Sequence, residues 1–437
     1  TAQTAFDVLE SWTDYPRYGF LTDFAPNRED IEETVSNLAH FHINGLQFYD
    51  WQYRHDTLLS LSDSYIDPLG RELSLQTVRE FIATAHDHGM AAMPYLAVYA
   101  SSMEFWEEHP DWRLLDAKGE PLLFEDFLGL MDPSPGSPWV EHLLGECERT
   151  LAALNFDGLH IDQYGDPKEG FNVGGEEVDI PSSFHEFIAD ARERFPKAAL
   201  TFNAVGNWPF DALASAPLNF NYIEIWPPTL TYRDLRRIVL ESRLKSVDKP
   251  IVIALYLPSD QEANIRLTDA IIFASGGCRI ELGEGERLLT DPYFPKHKAI
   301  PVILHHILRR YYDFAVRYGE WMGPEAQDVN GLAITLPEGV LPIVREAGAW
   351  LVLHLINVTG LGNPRWDEAV PAPESLRKFS VKILTPEAIR VIYWASPDRE
   401  NPALAPAEWR DEGDKVVVDV PYLEYWTMVA VQIESAE

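Results

Sequence analysis

Apolar and polar positions along the chain change period repeatedly, and each change marks an element. Short runs in which apolar residues alternate with polar ones, or crowd together, read as strands. Stretches with apolar residues three and four apart read as helices. The first run is YGFLTDF, residues 18–24, followed by a helix over about 28–40 with acidic residues in its first turn. GLQFYDW (45–51) is the second strand, and 73–88 the second helix, stopped by Gly89. MAAMPYLAVY (90–99) is the third strand, and a helix over 137–152 leads to the fourth, 156–164. A helix over 182–195 precedes AALTFNAV (198–205), and NYIEIW (221–226) precedes a helix over 232–245. PIVIALYL (250–257) and CRIEL (278–282) complete the eight strands, with 267–274 helical between them and 298–321 as the closing helix.

Strands and helices alternating in this way predict an α/β fold, a (β/α)8 TIM barrel with enlarged loops. The competing fold is an open doubly wound sheet, but no glycine-rich phosphate loop follows the first strand. From about residue 328 the pattern changes. Residues 340–344, 349–355, 379–383, 389–394, 415–420 and 427–433 read as short strands separated by turns containing Pro and Gly. They predict a C-terminal antiparallel β-sandwich. A chain of 437 residues exceeds what one core usually holds, so the expected domains are 1–327 and 328–437.

Chemistry concentrates where strands end. In FDGLHIDQYG, residues 156–165, His160 and Asp162 alternate with Leu159 and Ile161 before the run stops. Barrel enzymes place their chemistry at the C-terminal ends of strands, which makes Asp162 a candidate catalytic carboxylate. An aspartate capping the following loop would look the same. Glu224 lies between Ile223 and Ile225, so it points away from both, toward the lumen or mouth. Its cation-poor neighbours, Asn221, Tyr222, Trp226, Pro227 and Pro228, favour a protonated carboxyl, as general-acid duty requires. A Glu merely hydrogen-bonded to an Asn or Tyr of the next strand is the alternative. The mouths of the fourth and sixth strands can face each other. Two carboxyls about 5–5.5 Å apart would mean a retaining glycosidase, and about 6.5–9.5 Å an inverting one.

Charge narrows the partners. The formal net charge is −34, which repels phosphate backbones and anionic lipids, so neither nucleic acid nor membrane is an expected partner. A neutral sugar is unaffected. No apolar run is long enough to cross a bilayer, and the first residues, TAQT, lack the charged and apolar regions of a signal peptide. Cys147 and Cys278 are read as separate core thiols with no metal-ligand spacing, so no metal or cofactor is expected. The loop 101–139 is rich in aromatics and carboxylates. Trp106 and Trp112 within it either stack on pyranose rings or plug the rim.

Five segments carry a family resemblance: FYDWQYRH (48–55), FDGLHID (156–162), YIEIW (222–226), IELGE (280–284) and DPYFP (291–295). Together, and in this order, they resemble glycoside hydrolase family 66, the endo-dextranases and cycloisomaltooligosaccharide glucanotransferases. The resemblance runs from about residue 18 into the C-terminal region. It implies Asp162 as nucleophile, Glu224 as acid/base, and an α-1,6-glucan (dextran or isomaltooligosaccharides) as substrate of a secreted, bacterial-type enzyme. Two departures stand out. Family members carry a β-sandwich ahead of the barrel, whereas here the first strand begins by about residue 18. The cyclising enzymes carry a carbohydrate-binding module after the seventh strand, where this chain has only residues 258–266. A monomeric hydrolase resembling the dextranases, with transglycosylation as a side activity, is the expectation. A cyclising transferase, a barrel α-glycosidase of other linkage and a non-catalytic glucan-binding protein are the alternatives.

The rim supplies further sugar-binding candidates. Asp50, Trp51, Arg54 and His55 follow the second strand, though an Arg54–Asp50 pair could be structural. His160 and Gln163 flank Asp162, and Asn203 ends the fifth strand. Asp132, before Pro133, is either a hydroxyl ligand or a turn former. Tyr95, Trp226 and Tyr256 are stacking candidates.

Overall fold

A computed structural model describes residues 4–247, 249–362, 364–384 and 388–434. Residues 1–3, on which part of the signal-peptide expectation rests, lie outside them. Eight parallel strands run in chain order round one curled sheet. They are Tyr18–Leu21, Gly45–Phe48, Ala91–Ala97, Gly158–Asp162, Ala199–Val205, Asn221–Glu224, Ile251–Ala254 and Cys278–Ile280. Just past the eighth strand, Gly283 pairs in parallel with Phe20 of the first. The open doubly wound alternative is not what forms.

Side-chain alternation divides the sheet into two faces. Outward residues such as Leu46, Leu159, Ile161, Phe202, Ile223 and Ile253 join the main core against the helices. Inward residues Tyr18, Phe20, Met93, Phe220, Tyr222, Cys278 and Ile280 form a separate inner core. The helices match the predicted ones to within a few residues, except the sixth, which runs Glu262–Ala274, and the last, which is split into Val302–Arg317 and Gly319–Met322. Cys147 and Cys278 are buried and free.

Three small sheets decorate the C-terminal ends of the strands. The hairpin Ser64–Ile66/Glu72–Ser74 follows the second strand. Ala100–Ser102, Leu123–Phe124 and Leu128–Leu130 form a three-stranded sheet after the third. Gly170–Phe171 pairs with Glu177–Val178 after the fourth.

Beyond the last helix the chain forms two antiparallel sheets, built on Val340–Ala347, Trp350–Asn357, Ile389–Ala395 and Trp426–Ile433, and on Leu376–Leu384 and Lys415–Leu423. They share a core of Leu353, Leu355, Val381, Val418, Val429 and others. Other residues of the same strands, among them Val352, Ile356 and Trp426, belong to the main core beside the helices. Among the described residues no helix is long and apolar enough to cross a membrane.

Candidate active site

Asp162 ends the fourth strand and Glu224 the sixth, and between them the fifth strand delivers Asn203. Its side-chain amide donates to Asp162 Oδ1 at 2.8 Å and to Glu224 Oε2 at 2.9 Å. One nitrogen bridging both oxygens caps their separation at about 5.7 Å (2.8 plus 2.9 Å). With the two N–H bonds of a planar amide splayed at about 120°, the gap is about 5 Å. The Tyr256 hydroxyl donates to Glu224 Oε1 at 2.6 Å. Glu224 is thus both hydrogen-bonded to its neighbours, as the bland alternative held, and aimed into the lumen mouth opposite Ile223 and Ile225.

Asp162 is partly buried on the cavity wall. Its carboxyl is raised to about 7, first by lost hydration and then by the charge of Glu224, with hydrogen bonds from Tyr95 and Asn203 pulling it back. Asp50, at the exit of the second strand, is also raised to about 7 by burial, with Arg71 opposing and Asp67 adding. His160 lies deeper, parallel to the rings of Tyr18 and Tyr95 and edge-on to Tyr222. Burial lowers it to about 3, so it is neutral at physiological pH. His55 is lowered to about 4 by the same cause.

These groups line one cavity of about 510 Å³ at the C-terminal ends of the strands. It is large enough for more than one sugar ring. Gln47 Oε1, Gln52 Oε1, His55 Nδ1, Tyr164 Oη and Asn203 Oδ1 on its walls are buried without a protein partner. Buried polar atoms normally find one, and sugar hydroxyls are matching donors and acceptors. Among the described residues no group of three or more His, Cys, Asp or Glu is disposed to hold a metal ion.

The family model for glycosyl hydrolase family 66 matches residues 1–430. The chain belongs to glycosyl hydrolase family 66. A curated relative from Niallia circulans, a cycloisomaltooligosaccharide glucanotransferase, is 23% identical over 613 aligned positions, covering 99% of this chain and 63% of the relative. The chain therefore spans less than two thirds of the length of the curated relatives it matches. A Paenibacillus sp. cycloisomaltooligosaccharide glucanotransferase, solved in complex with cycloisomaltoheptaose, superposes with a TM-score of 0.92 at 21% identity, covering 98% of this chain and 86% of that one. An α-amylase from Geobacillus thermoleovorans complexed with acarbose superposes at 0.64 with 10% identity, covering 98% and 100%. At these identities the likeness speaks to the fold.

In this family 66 protein, Asp50, His55, Tyr95, His160, Asp162, Gln163, Asn203, Glu224, Trp226 and Tyr256 all reach the cavity. Trp51, Arg54 and Asp132 do not. The Trp51 indole is fully buried, donates to the Tyr95 carbonyl and packs on Phe156. Asp50, two residues past the end of the strand at Phe48, adopts φ +49°, which breaks the alternation that would have aimed Trp51. Arg54 lies over the Tyr53 ring and donates to the carbonyls of Tyr53 and Ile66. The pair it could have formed with Asp50 is not the contact made. Asp132 accepts from the Ser134 amide and hydroxyl, the turn-former role.

Trp106 and Trp112 also stay out of the cavity. Arg113 lies 3.7 Å over the Trp106 ring, and Trp112 packs among Phe105, His109 and His142. Phe124 and Phe127 of the same loop line the cavity instead, as do Tyr49, Tyr164, Tyr222 and Tyr293. Tyr49, Tyr222 and Tyr293 stand inside the segments that carried the family resemblance. Phe124 and Phe127 carried no signal beyond the aromatic richness of their loop.

Proposed function

We propose that this protein is a retaining endo-glycosidase that cleaves α-1,6-glucosidic linkages of dextran to isomaltooligosaccharides, with transglycosylation as a side activity. Its curled sheet is then a (β/α)8 barrel and its two antiparallel sheets a C-terminal β-sandwich, with domains 1–327 and 328–437. The observation that carries the proposal is the Asn203 bridge. It holds two carboxyl oxygens about 5 Å apart, within the range of a covalent mechanism and too close for the water that inversion needs between them.

Asp162 attacks the anomeric carbon as Glu224 gives its proton to the departing glycosidic oxygen, leaving a glycosyl–Asp162 ester. Glu224 then takes a proton from water, whose oxygen displaces Asp162 from the same carbon. A sugar hydroxyl in place of water gives transfer. The first step needs charge on Asp162, the reverse of where burial pushes it. The Asn203 and Tyr95 hydrogen bonds act in the required direction, and Tyr256 orients Glu224.

Hydrolysis is preferred over cyclisation because the seventh strand, Ile251–Ala254, leads almost at once to the helix Glu262–Ala274, with no room for an inserted module. A cyclising glucanotransferase is the second reading, favoured by the activity of the curated relatives, both cycloisomaltooligosaccharide glucanotransferases. The test is incubation with dextran, pullulan and soluble starch, followed by product chromatography. Linear isomaltooligosaccharides from dextran are expected. Cyclic products would establish the second reading, and no attack on any glucan would sink both. Asp162→Asn and Glu224→Gln should each lower dextran turnover by about 10³-fold or more with the fold unchanged; normal turnover in either overturns the assignment.

A further inference from the structure

The Asn203 amide fills the side of Glu224 that faces Asp162, and the seventh strand supplies what lies on the other side. Tyr256, just past the end of that strand, donates to Glu224 Oε1 at 2.6 Å. Its ring meets the indole of Trp226 with centroids 6.0 Å apart. Trp226 follows Glu224 by two positions, beyond the end of the sixth strand. Round the curled sheet the strands that carry Asp162, Asn203, Glu224 and Tyr256 are consecutive neighbours. An indole packed on Tyr256 therefore stands on the flank of Glu224 remote from Asp162. It lines the cavity and is 39% exposed, a large open apolar surface beside a buried carboxyl.

The loop that carries this indole is tied down from the C-terminal region. The Thr229 amide donates to the Trp226 carbonyl at 3.1 Å, closing a turn. The Thr229 carbonyl accepts from the Trp366 indole N–H at 2.9 Å. The Trp366 amide donates to the Leu230 carbonyl at 3.1 Å, and Thr231 forms an antiparallel bridge with Arg365. Thr231 then caps the helix Tyr232–Lys245. Trp366 is itself buried in the main core, and Asn264 donates to its carbonyl at 3.0 Å. A loop tied at Trp226, Thr229, Leu230 and Thr231 holds its aromatic ring in one place without covering it. Fixing a binding group before the ligand arrives spares the entropy of ordering it.

We propose that Trp226 is the platform for the leaving sugar and for the acceptor, and that Trp366 is the positioning residue that holds it. This rests on the glucan-cleaving reading of the same cavity. The departing glycosidic oxygen takes its proton from Glu224, so the sugar bearing it lies on Glu224's side of the scissile bond. The flank remote from Asp162 is where that sugar has room, and Trp226 is the aromatic face there. A half-exposed indole holds the apolar face of a glucosyl ring through dispersion and C–H contacts without enclosing it. In transfer the same place holds the acceptor, whose hydroxyl gives its proton to Glu224 as its oxygen displaces Asp162. The C-terminal region thereby acts on whether the glycosyl–Asp162 ester meets water or a sugar.

The test compares two substrates with very different leaving groups. Isomaltotetraose expels a sugar, which the platform would hold, whereas α-isomaltosyl fluoride expels an ion too small to use it. Trp226→Ala should lower kcat/KM for isomaltotetraose about three- to tenfold more than for the fluoride, the scale of one lost aromatic contact. It should also lower the ratio of transfer to hydrolysis products, with Trp226→Phe retaining most of both. Equal losses on the two substrates overturn the platform and leave the glucan-cleaving reading standing. Wild-type protein that cleaves neither substrate overturns that reading and the platform with it. Trp366→Phe keeps a buried ring but removes the N–H that Thr229 accepts. With the circular dichroism spectrum unchanged, it should shift the selectivity between the two substrates in the same direction by a smaller factor. Wild-type selectivity in Trp366→Phe overturns the positioning role.

Discussion

Asn203 does more than the sequence suggested. A donor near the fifth-strand exit was expected to serve a sugar hydroxyl, and instead its amide spans both carboxyls. This pairing makes Asp162 pH-sensitive. Asp162 serves the reaction only when ionised, so rate is present above its pKa and lost as pH falls through it. Glu224→Gln removes the second cause of its rise. The acid limb of glycosylation from an activated aryl isomaltoside, which needs no general acid, should then move to lower pH than in the wild type. An unmoved limb would contradict the pairing. Stability carries the opposite sign. A carboxyl raised from 3.8 to about 7 in the folded state makes the fold lose stability as pH rises through that window. Asp162→Asn should therefore stabilise the protein at neutral pH by at most about 4 kcal/mol, the gain vanishing near pH 4 in calorimetric melts. Sites for charge chemistry are commonly held at such a cost.

Among the elements, the fourth strand is the most constrained. Its first residue, Gly158, lies so close to the Ala199 carbonyl of the fifth strand that a Cβ would clash with the backbone. Asp157, just before it, accepts from His86 and from the Ala92 amide at 2.8 and 2.7 Å, pinning the end remote from the cavity. Gly158→Ala should cost at least about 2–3 kcal/mol by overpacking, read from denaturant midpoints, and should lower activity by shifting Asp162. A variant as stable and active as the wild type would refute it. The long strands and helices were legible because each carries several repeats of its period. The hairpins on the rim were not, because strands of two or three residues are too short to show alternation. The loop 101–139 was recognised as cleft-forming from its composition, but which of its aromatics faced the cavity depended on turns that no period records.

At the scale of the whole molecule, the apolar core beside the helices extends into the C-terminal sheets, which also keep a core of their own. Trp426, from the last strand, is fully buried and meets Phe314 edge-on at 4.9 Å and Tyr311 at 5.8 Å. Arg266 reaches from its helix to Asp398 and Glu424 at 2.9 and 3.0 Å, and lies 3.7 Å over the Tyr425 ring. With this much shared burial, differential scanning calorimetry should show one cooperative transition rather than two. Trp426→Ala, at a cost of about 3–5 kcal/mol, should lower that single transition without splitting it. Two separate transitions in the wild type would show that the shared core does not couple the halves.

The order of strands and helices, the change of character near residue 328 and the strand-end positions of Asp162 and Glu224 were set by the sequence itself. Hydrophobic periodicity is a local property, and residues i and i+2 on a strand share a face wherever that strand sits. The gap between the carboxyls, the bridging amide and the exclusion of Trp51, Arg54 and Asp132 were decided only by tertiary structure. Each depends on register between neighbouring strands or on a single backbone turn such as Asp50. There a rotation of one residue redirects every side chain that follows.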